Sequence, residues 1–382
     1  MSYAGTSQQP RPHPPAFQSR IRKVGAPLGV IIFLGAVAGV IVLLLTAANP
    51  LRTAVGFILT TVAMTVVVLA YLWLDRWEPE PPRLLVLAFL WGASVAVIVS
   101  ASLEVYVESL IHPGAKDVSF VSIAIAGPVI EEAAKGLFLL LMLTGRRRNE
   151  MNSLTDCLVY AGITAAGFAW LEDIFYIEDG GLKTAALRLL MGPFAHPLFT
   201  TMTAIGVYFA LQRRNVFAKV GCILLGYAGA VIMHALWNGS AQVGFGAYLL
   251  VYVFWMVPIF GLAIWLGVAS RRREQRTVAA KLPGMVAAGV VSQNEATWLG
   301  SIRSRKQAIA EATRAGGKPA GKAVQQFAAQ VVELAFVRDR IDRGANAERL
   351  QALLNEEAYA VYAARAKAPI LQSLTNYRAS GG

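Results

Sequence analysis

Glu131 and Glu132 stand side by side inside an otherwise apolar run, residues 118–144, and Lys135 follows one helical turn later. A charged side chain at mid-bilayer costs about 2.5–3.5 kcal/mol on insertion scales, so three within five residues must face a protein interior or a watery cavity. A spacing of four puts Glu131 and Lys135 on one helix face, where the ammonium can hold a carboxylate charged. Glu132 points ~100° away and is free for a separate task. A carboxylate desolvated in such a place can act as a general base towards water; the structural alternative is a buried ion pair that locks two helices together.

Three further polar clusters follow in the next three apolar runs. Phe168 and Glu172 share a helix face, with Asp173 beside them at the membrane edge. His196 lies between Ala195 and Pro197, with Thr200 four residues on. His234 and Asn238 are one turn apart, an imidazole and a carboxamide that could polarise a carbonyl or hold an oxyanion. Taken singly, each reads as well as a helix-to-helix hydrogen bond. Together, three carboxylates and two histidines in consecutive apolar runs point to one constellation. Glu104 and Glu108, also four apart, read instead as a wet helix end.

The elements that must carry these groups are long and apolar. The chain has 382 residues, of which 56% are hydrophobic and 15% charged. At ~20 residues per crossing, eight spans are expected over residues 27–47, 54–74, 84–111, 118–144, 157–177, 185–212, 216–237 and 246–270. The expected fold is therefore an all-α polytopic membrane helix bundle with about eight transmembrane helices and a small cytosolic helical C-terminal region. Arg20, Arg22 and Lys23 precede the first span, whose apolar stretch exceeds a cleaved h-region of about 7–15 residues, so it reads as an uncleaved anchor.

Short-loop Lys and Arg set orientation. Arg76, Arg83, Arg146 to Arg148, Arg213, Arg214, Lys219 and Arg271 to Arg273 fall on the side of the N-terminal basic group, against Arg52, Lys116, Lys183 and Arg188 on the other. Both termini are thus expected in the cytoplasm of a multi-pass cell-membrane protein. In that orientation Glu131 lies near mid-membrane, with Glu172 and His234 nearer the outer ends of their spans, so the cavity should open outward or sideways into lipid.

Three domains are expected: a disordered cytosolic N-terminus at 1–26, a transmembrane domain at 27–270, and a basic helical tail at 271–382. The tail holds 18 Lys plus Arg against 9 Asp plus Glu, which suits an anionic lipid surface better than nucleic acid. A tail helix should begin near Ser292 or Asn294, Gly316-Gly317-Lys318-Pro319 should break the pattern, and the apolar sets at 324–341 and 350–361 should pack on each other. Two cysteines, Cys157 and Cys222, exclude a disulfide framework or a Cys-rich zinc site.

The motifs Glu-Glu-x-x-Lys at Glu131, Glu132 and Lys135, Phe-x-x-x-Glu at Phe168 and Glu172, Ala-His-Pro-Leu-Phe-Thr around His196, and His-Ala-Leu-Trp-Asn from His234 to Asn238 resemble the PrsW family of intramembrane proteases, a branch of the group that includes type II CAAX prenyl endopeptidases. The resemblance covers about residues 70 to 270, and Trp77-Glu78-Pro79-Glu80-Pro81 is similar to the family's entry loop. Asp173 stands where the family often has Asn, and Glu172 where the prenyl-endopeptidase relatives carry a histidine, so their mechanism transfers only in part.

The resemblance implies an intramembrane endopeptidase acting on membrane-anchored proteins, including single-span regulators such as anti-sigma factors, near the outer membrane face. In that reading Glu131 activates water, Glu132 shares or relays the proton, His234 and Asn238 stabilise the oxyanion, and His196 and Glu172 complete the polar shell, supported by Lys135, Phe168 and Asp173. No cofactor is expected; zinc is the alternative, since His-Glu-x-x-His is absent. A proton-coupled transporter or channel using the same Glu/His relay is the rival activity, and a non-catalytic membrane scaffold is a third.

Overall fold

The computed structural model describes residues 25–114, 117–343, 347–374 and 377. The expected N-terminal disorder, apart from residues 25 and 26, lies outside the described residues. Those described form helices joined by short connections, with no strand among them.

Six helices are long and apolar enough to cross a membrane: α1 (Leu28–Ala48), α2 (Pro50–Leu74), α3 (Pro82–Ile111), α5 (Leu154–Met191), α7 (Val216–Val243) and α8 (Phe245–Ala287). The other two expected spans are helical but fall short of those criteria. One is α4 (Gly127–Met142), which carries Glu131, Glu132 and Lys135 and is preceded by a π-helical turn at Ser122–Ala126. The other, α6 (Ala195–Leu211), has 17 residues and is buried along almost its whole length.

Residues 185–212 do not form the single span expected of them. The stretch to Met191 belongs to α5, and α6 begins only after Gly192. The reason lies at Gly181, whose φ of 65° is open to glycine at little steric cost. Beyond it the chain folds back: Arg188 contacts Glu172 and Asp173, groups that a straight helix would hold roughly 22 Å away. Arg52 of α2 caps the limb before the turn, donating from Nη1 to the carbonyls of Glu178 (3.2 Å) and Asp179 (2.7 Å).

Close backbone contacts set the helix positions. A Cβ on Gly167 of α5 would lie 1.9 Å from the Phe89 carbonyl oxygen, and one on Gly92 of α3 would lie 1.9 Å from that of Thr164. Helices α6 and α7 meet in the same way at Gly206 and Gly226. Small residues at such crossings bring the backbones together where lipid gives no hydrophobic drive for association.

Helix α8 runs unbroken past residue 270 to Ala287 and leads into α9 (Gln293–Leu299), α10 (Ile302–Asp342) and α11 (Ala347–Ala366). Ser292 and Glu295 form a capping box at the start of α9, and α10 turns at Gly317. Val278, Leu282, Trp298, Phe327, Val331 and Val361 share one core with Trp77 from the loop after α2. The segment similar to an entry loop is therefore packed against the C-terminal helices.

That loop is acidic and enclosed. Asp75 accepts from the Glu80 amide at 2.8 Å, the Tyr160 hydroxyl donates to Glu80 at 2.6 Å, and Asn152 donates to Glu78 at 2.9 Å. Burial pushes Glu78 and Glu80 well above the usual carboxylate range and Asp75 up to about 8, with Asp156 and Glu274 adding negative charge beside Asp75.

Two outcomes follow. Gly167→Ala overpacks the α3–α5 crossing and should lose about 1–3 kcal/mol of stability, read as a lower melting temperature in detergent. The Asp75 pKa is raised on folding, so its contribution to stability is present in full below the unfolded value and is lost as pH rises through about 8. The melting temperature should fall over that window, and Asp75→Asn should flatten the slope.

Candidate active site

Helix α4 projects both glutamates and the lysine into the interior, where Glu132 and Lys135 are fully enclosed and Glu131 nearly so. Lys135 Nζ lies 2.6 Å from Glu132 Oε1 and 3.4 Å from Glu131 Oε2. The expected pairing was with Glu131; the structure places the ammonium closer to Glu132, because the flexible lysine stem swings between both carboxylates. Glu132 is not free for a separate task either. Its Oε2 accepts from Thr200 at 2.9 Å, and its Oε1 lies 3.1 Å from His234 Nδ1.

His196 sits in the first turn of α6, held by Phe168 and Phe199, while Phe199 also stacks on His234 at 4.6 Å. Its Nε2 is 2.8 Å from Glu172 Oε2, and its Nδ1 is 3.0 Å from Lys135 Nζ. The two rings stand edge to face with centroids 5.0 Å apart. Phe168 also lies under the Lys135 ammonium at 4.3 Å, a cation–π contact in a dry setting.

These partners decide which ring nitrogens carry protons. A carboxylate only accepts, so His196 donates through Nε2 to Glu172 and His234 through Nδ1 to Glu132. Of the remaining nitrogens, His196 Nδ1 gives its lone pair to the Lys135 ammonium at 3.0 Å, and His234 Nε2 presents one towards Glu131. These two nitrogens face Glu131 Oε2 at 3.9 and 3.8 Å. Three acceptors thus converge, with ligand atoms all within 4.8 Å of one another.

Such a donor set could hold a metal ion. Two imidazoles and a carboxylate suit zinc, and each imidazole is held from behind by a carboxylate, the usual arrangement around a bound metal. The residues present fit the group. The ammonium of Lys135, 3.0 Å from His196 Nδ1 and 3.4 Å from Glu131 Oε2, now holds two of these acceptors and must swing towards Glu132 for an ion to take its place.

The structure brings together Glu131, Glu132, Lys135, Phe168, Glu172, His196 and His234. Asn238 is directed elsewhere: its Nδ2 donates to the Ile123 carbonyl in the π-helical turn at 3.3 Å. Asp173, read as a membrane-edge residue, pairs with Arg188, which also binds Glu172 and stacks over Tyr176 at 4.1 Å. Arg188 and Thr200 were not among the expected site residues. The signal for Arg188 was present in Gly180-Gly181, a turn mark inside an apolar stretch.

An enclosed carboxylate–histidine centre between the helices of a multi-pass membrane protein defines the class. Residues 80–264 match the profile described as PrsW family intramembrane metalloprotease. The protease PrsW of Oceanobacillus iheyensis is 24% identical over 217 residues, covering 57% of this chain and 95% of that protein. Those of Geobacillus kaustophilus (25% over 222 residues; 57% and 91%) and Bacillus subtilis (24% over 216 residues; 56% and 93%) are similar to the same extent. Over residues 80–264, a little under half of its length, the chain is similar to the PrsW family of intramembrane proteases. No solved structure matches it.

Arg188→Ala should free Glu172 to drift from His196 and leave buried Asp173 without its cation, so the melting temperature should fall. Arg188→Ala with Asp173→Asn removes that buried charge, and any loss of cleavage of about 10–100-fold that persists there reports the support of Glu172.

Proposed function

We propose that this protein is a metal-dependent intramembrane endopeptidase, and that Glu131, His196 and His234 would hold the ion. The observation that carries this reading is the convergence of three acceptors whose imidazole N–H groups are committed to Glu172 and Glu132. It departs from the metal-free expectation on physical grounds. With Nδ1–H given to Glu132, the other nitrogen of His234 has no proton to offer an oxyanion, whereas a cation is what three lone pairs attract.

Held by Glu131, His196 and His234, a divalent ion would supply Lewis-acid polarisation of a peptide carbonyl and an activated water. With the ion bound, Glu131 would be one of its ligands; in the metal-free alternative it is the carboxylate that takes a proton from water. Lys135 supplies positive charge beside a developing oxyanion. Glu172 and Glu132 orient the two imidazoles, and Arg188 and Thr200 hold those carboxylates in turn. Phe168 and Phe199 exclude water from the ring faces and strengthen the electrostatics within.

The substrates are membrane-anchored proteins, with single-span regulators of the anti-sigma-factor kind as the first class to try. The Lys and Arg asymmetry favours both termini in the cytoplasm, with 1–26, 27–270 and 271–382 as lead-in, protease domain and tail. Helix α8 joins the last two directly.

The test uses purified full-length protein in lipid vesicles with a panel of single-span membrane proteins. Wild type should cleave, chelation should abolish cleavage, and zinc should restore it. Glu131→Gln and His234→Ala should reduce cleavage to background without loss of folded protein. Cleavage that survives exhaustive chelation but not Glu131→Gln would return the assignment to a glutamate mechanism, and equal cleavage by all three proteins would sink the site.

A further inference from the structure

Far from the carboxylate–histidine centre, a cleft of about 370 Å³ lies where α2 and α8 leave the apolar zone and meet the start of α10. Trp73, Trp77, Arg271, Arg272, Ser301 and Arg303 line it. Trp73 lies in the last turn of α2 and Arg271 just past the apolar run of α8, which sets the cleft at the level of lipid headgroups, where Trp is enriched.

The cleft is cationic, and among the described residues no carboxylate forms a close ion pair with its guanidiniums. Arg271 stacks on Trp73 at 4.3 Å and Arg305 on Trp77 at 4.2 Å. Other cations of this region have carboxylate partners: Lys281 with Asp339 and Asp342, Arg146 with Glu356, Arg365 with Glu295. Among the described residues, none of Arg76, Arg271, Arg272, Arg303 and Arg305 forms an ion pair. Glu274, a turn beyond Arg271, is buried and accepts from Ser153 instead. Arg305 is 8% exposed, and burial lowers it to about 10 with no carboxylate to offset the cost.

Ser301 caps α10 by accepting from the Ser304 amide, so the positive end of the limb that runs from Ile302 to the turn at Gly317 also opens on the cleft. Several guanidiniums around one small volume suit tetrahedral phosphate oxygens, which a planar fork can meet two at a time. Exposed Trp265 and Leu262, about two to three turns back along α8, offer an apolar flank for acyl chains.

We propose that this cleft binds a phosphate-bearing anion at the membrane surface, the headgroup of an anionic phospholipid or inorganic phosphate, and thereby clamps α10 to the ends of α2 and α8. The site is independent of the peptidase reading. It neutralises the arginines that the protein leaves unpaired, and it ties the C-terminal helices to the membrane through a third component.

The full-length protein in detergent is titrated with phosphatidylglycerol, phosphatidylcholine and inorganic phosphate, with bound ligand read by native mass spectrometry and melting temperature. Phosphatidylglycerol should bind at least about tenfold more tightly than phosphatidylcholine and raise the melting temperature. Arg271→Gln with Arg303→Gln should weaken it roughly fivefold per arginine, while Arg276→Gln, outside the cleft, should not. Arg272→Gln, at an exposed lining position, serves if the double variant folds poorly. Displacement by millimolar inorganic phosphate assigns the site to phosphate itself, and resistance to displacement assigns it to the whole lipid; both support the proposal. Equal binding of the two lipids with no effect of phosphate, or wild-type binding by folded Arg271 and Arg303 variants, overturns it.

Discussion

The buried ammonium of Lys135 is the constraint around which the membrane helices are arranged. An isolated charge in such an interior is prohibitively costly, so it persists only with partners on every side. Glu131 and Glu132 come from its own helix, His196 from α6, and Phe168 from α5. Through Glu132 the network reaches His234 on α7, and through His196 it reaches Glu172 on α5. Four helices are thereby tied to one charge. Removing a single partner leaves the others uncompensated, so position and protonation are shared properties of the cluster.

Charge pairing alone does not deliver the geometry. The crossings at Gly92, Gly167, Gly206 and Gly226 let backbones touch, which brings short side chains on different helices within hydrogen-bonding reach. The reversal at Gly181 then returns Arg188 over Glu172 and Asp173. The result is an ordered chain from arginine to carboxylate to imidazole. Its end is a lone pair rather than an N–H, and that lone pair meets the Lys135 ammonium at 3.0 Å.

At the opposite end of α2, the balance of charge is different. The loop at 75–80 buries carboxylates beside the C-terminal helices, while the neighbouring arginines face a cleft without partners. Trp77 belongs to both surroundings, packed in the C-terminal core and covered by Arg305. The C-terminal helices are thus held by one dry contact and bordered by two unbalanced patches of opposite sign, a junction sensitive to protons on one side and open to anions on the other.

The sequence by itself determined the class of fold and most of the membership of the buried polar cluster. Long apolar runs can only be helices in lipid, since every backbone polar group must be satisfied within the segment. Ionisable residues inside those runs must meet one another, which is why Glu131, Glu132, Lys135, Glu172, His196 and His234 were legible as a set. Only the tertiary structure decided how they meet. Helical periodicity states which residues share a face of one helix and says nothing of distances between helices, so it gave Lys135 to Glu131 and Asn238 to the cluster. Packing placed Lys135 nearer Glu132, directed Asn238 to the Ile123 carbonyl, and folded Arg188 back from a stretch that reads as the start of another span. Which imidazole nitrogen keeps its proton follows from those contacts between distant segments, so the chemistry of the centre was settled by packing rather than by spacing.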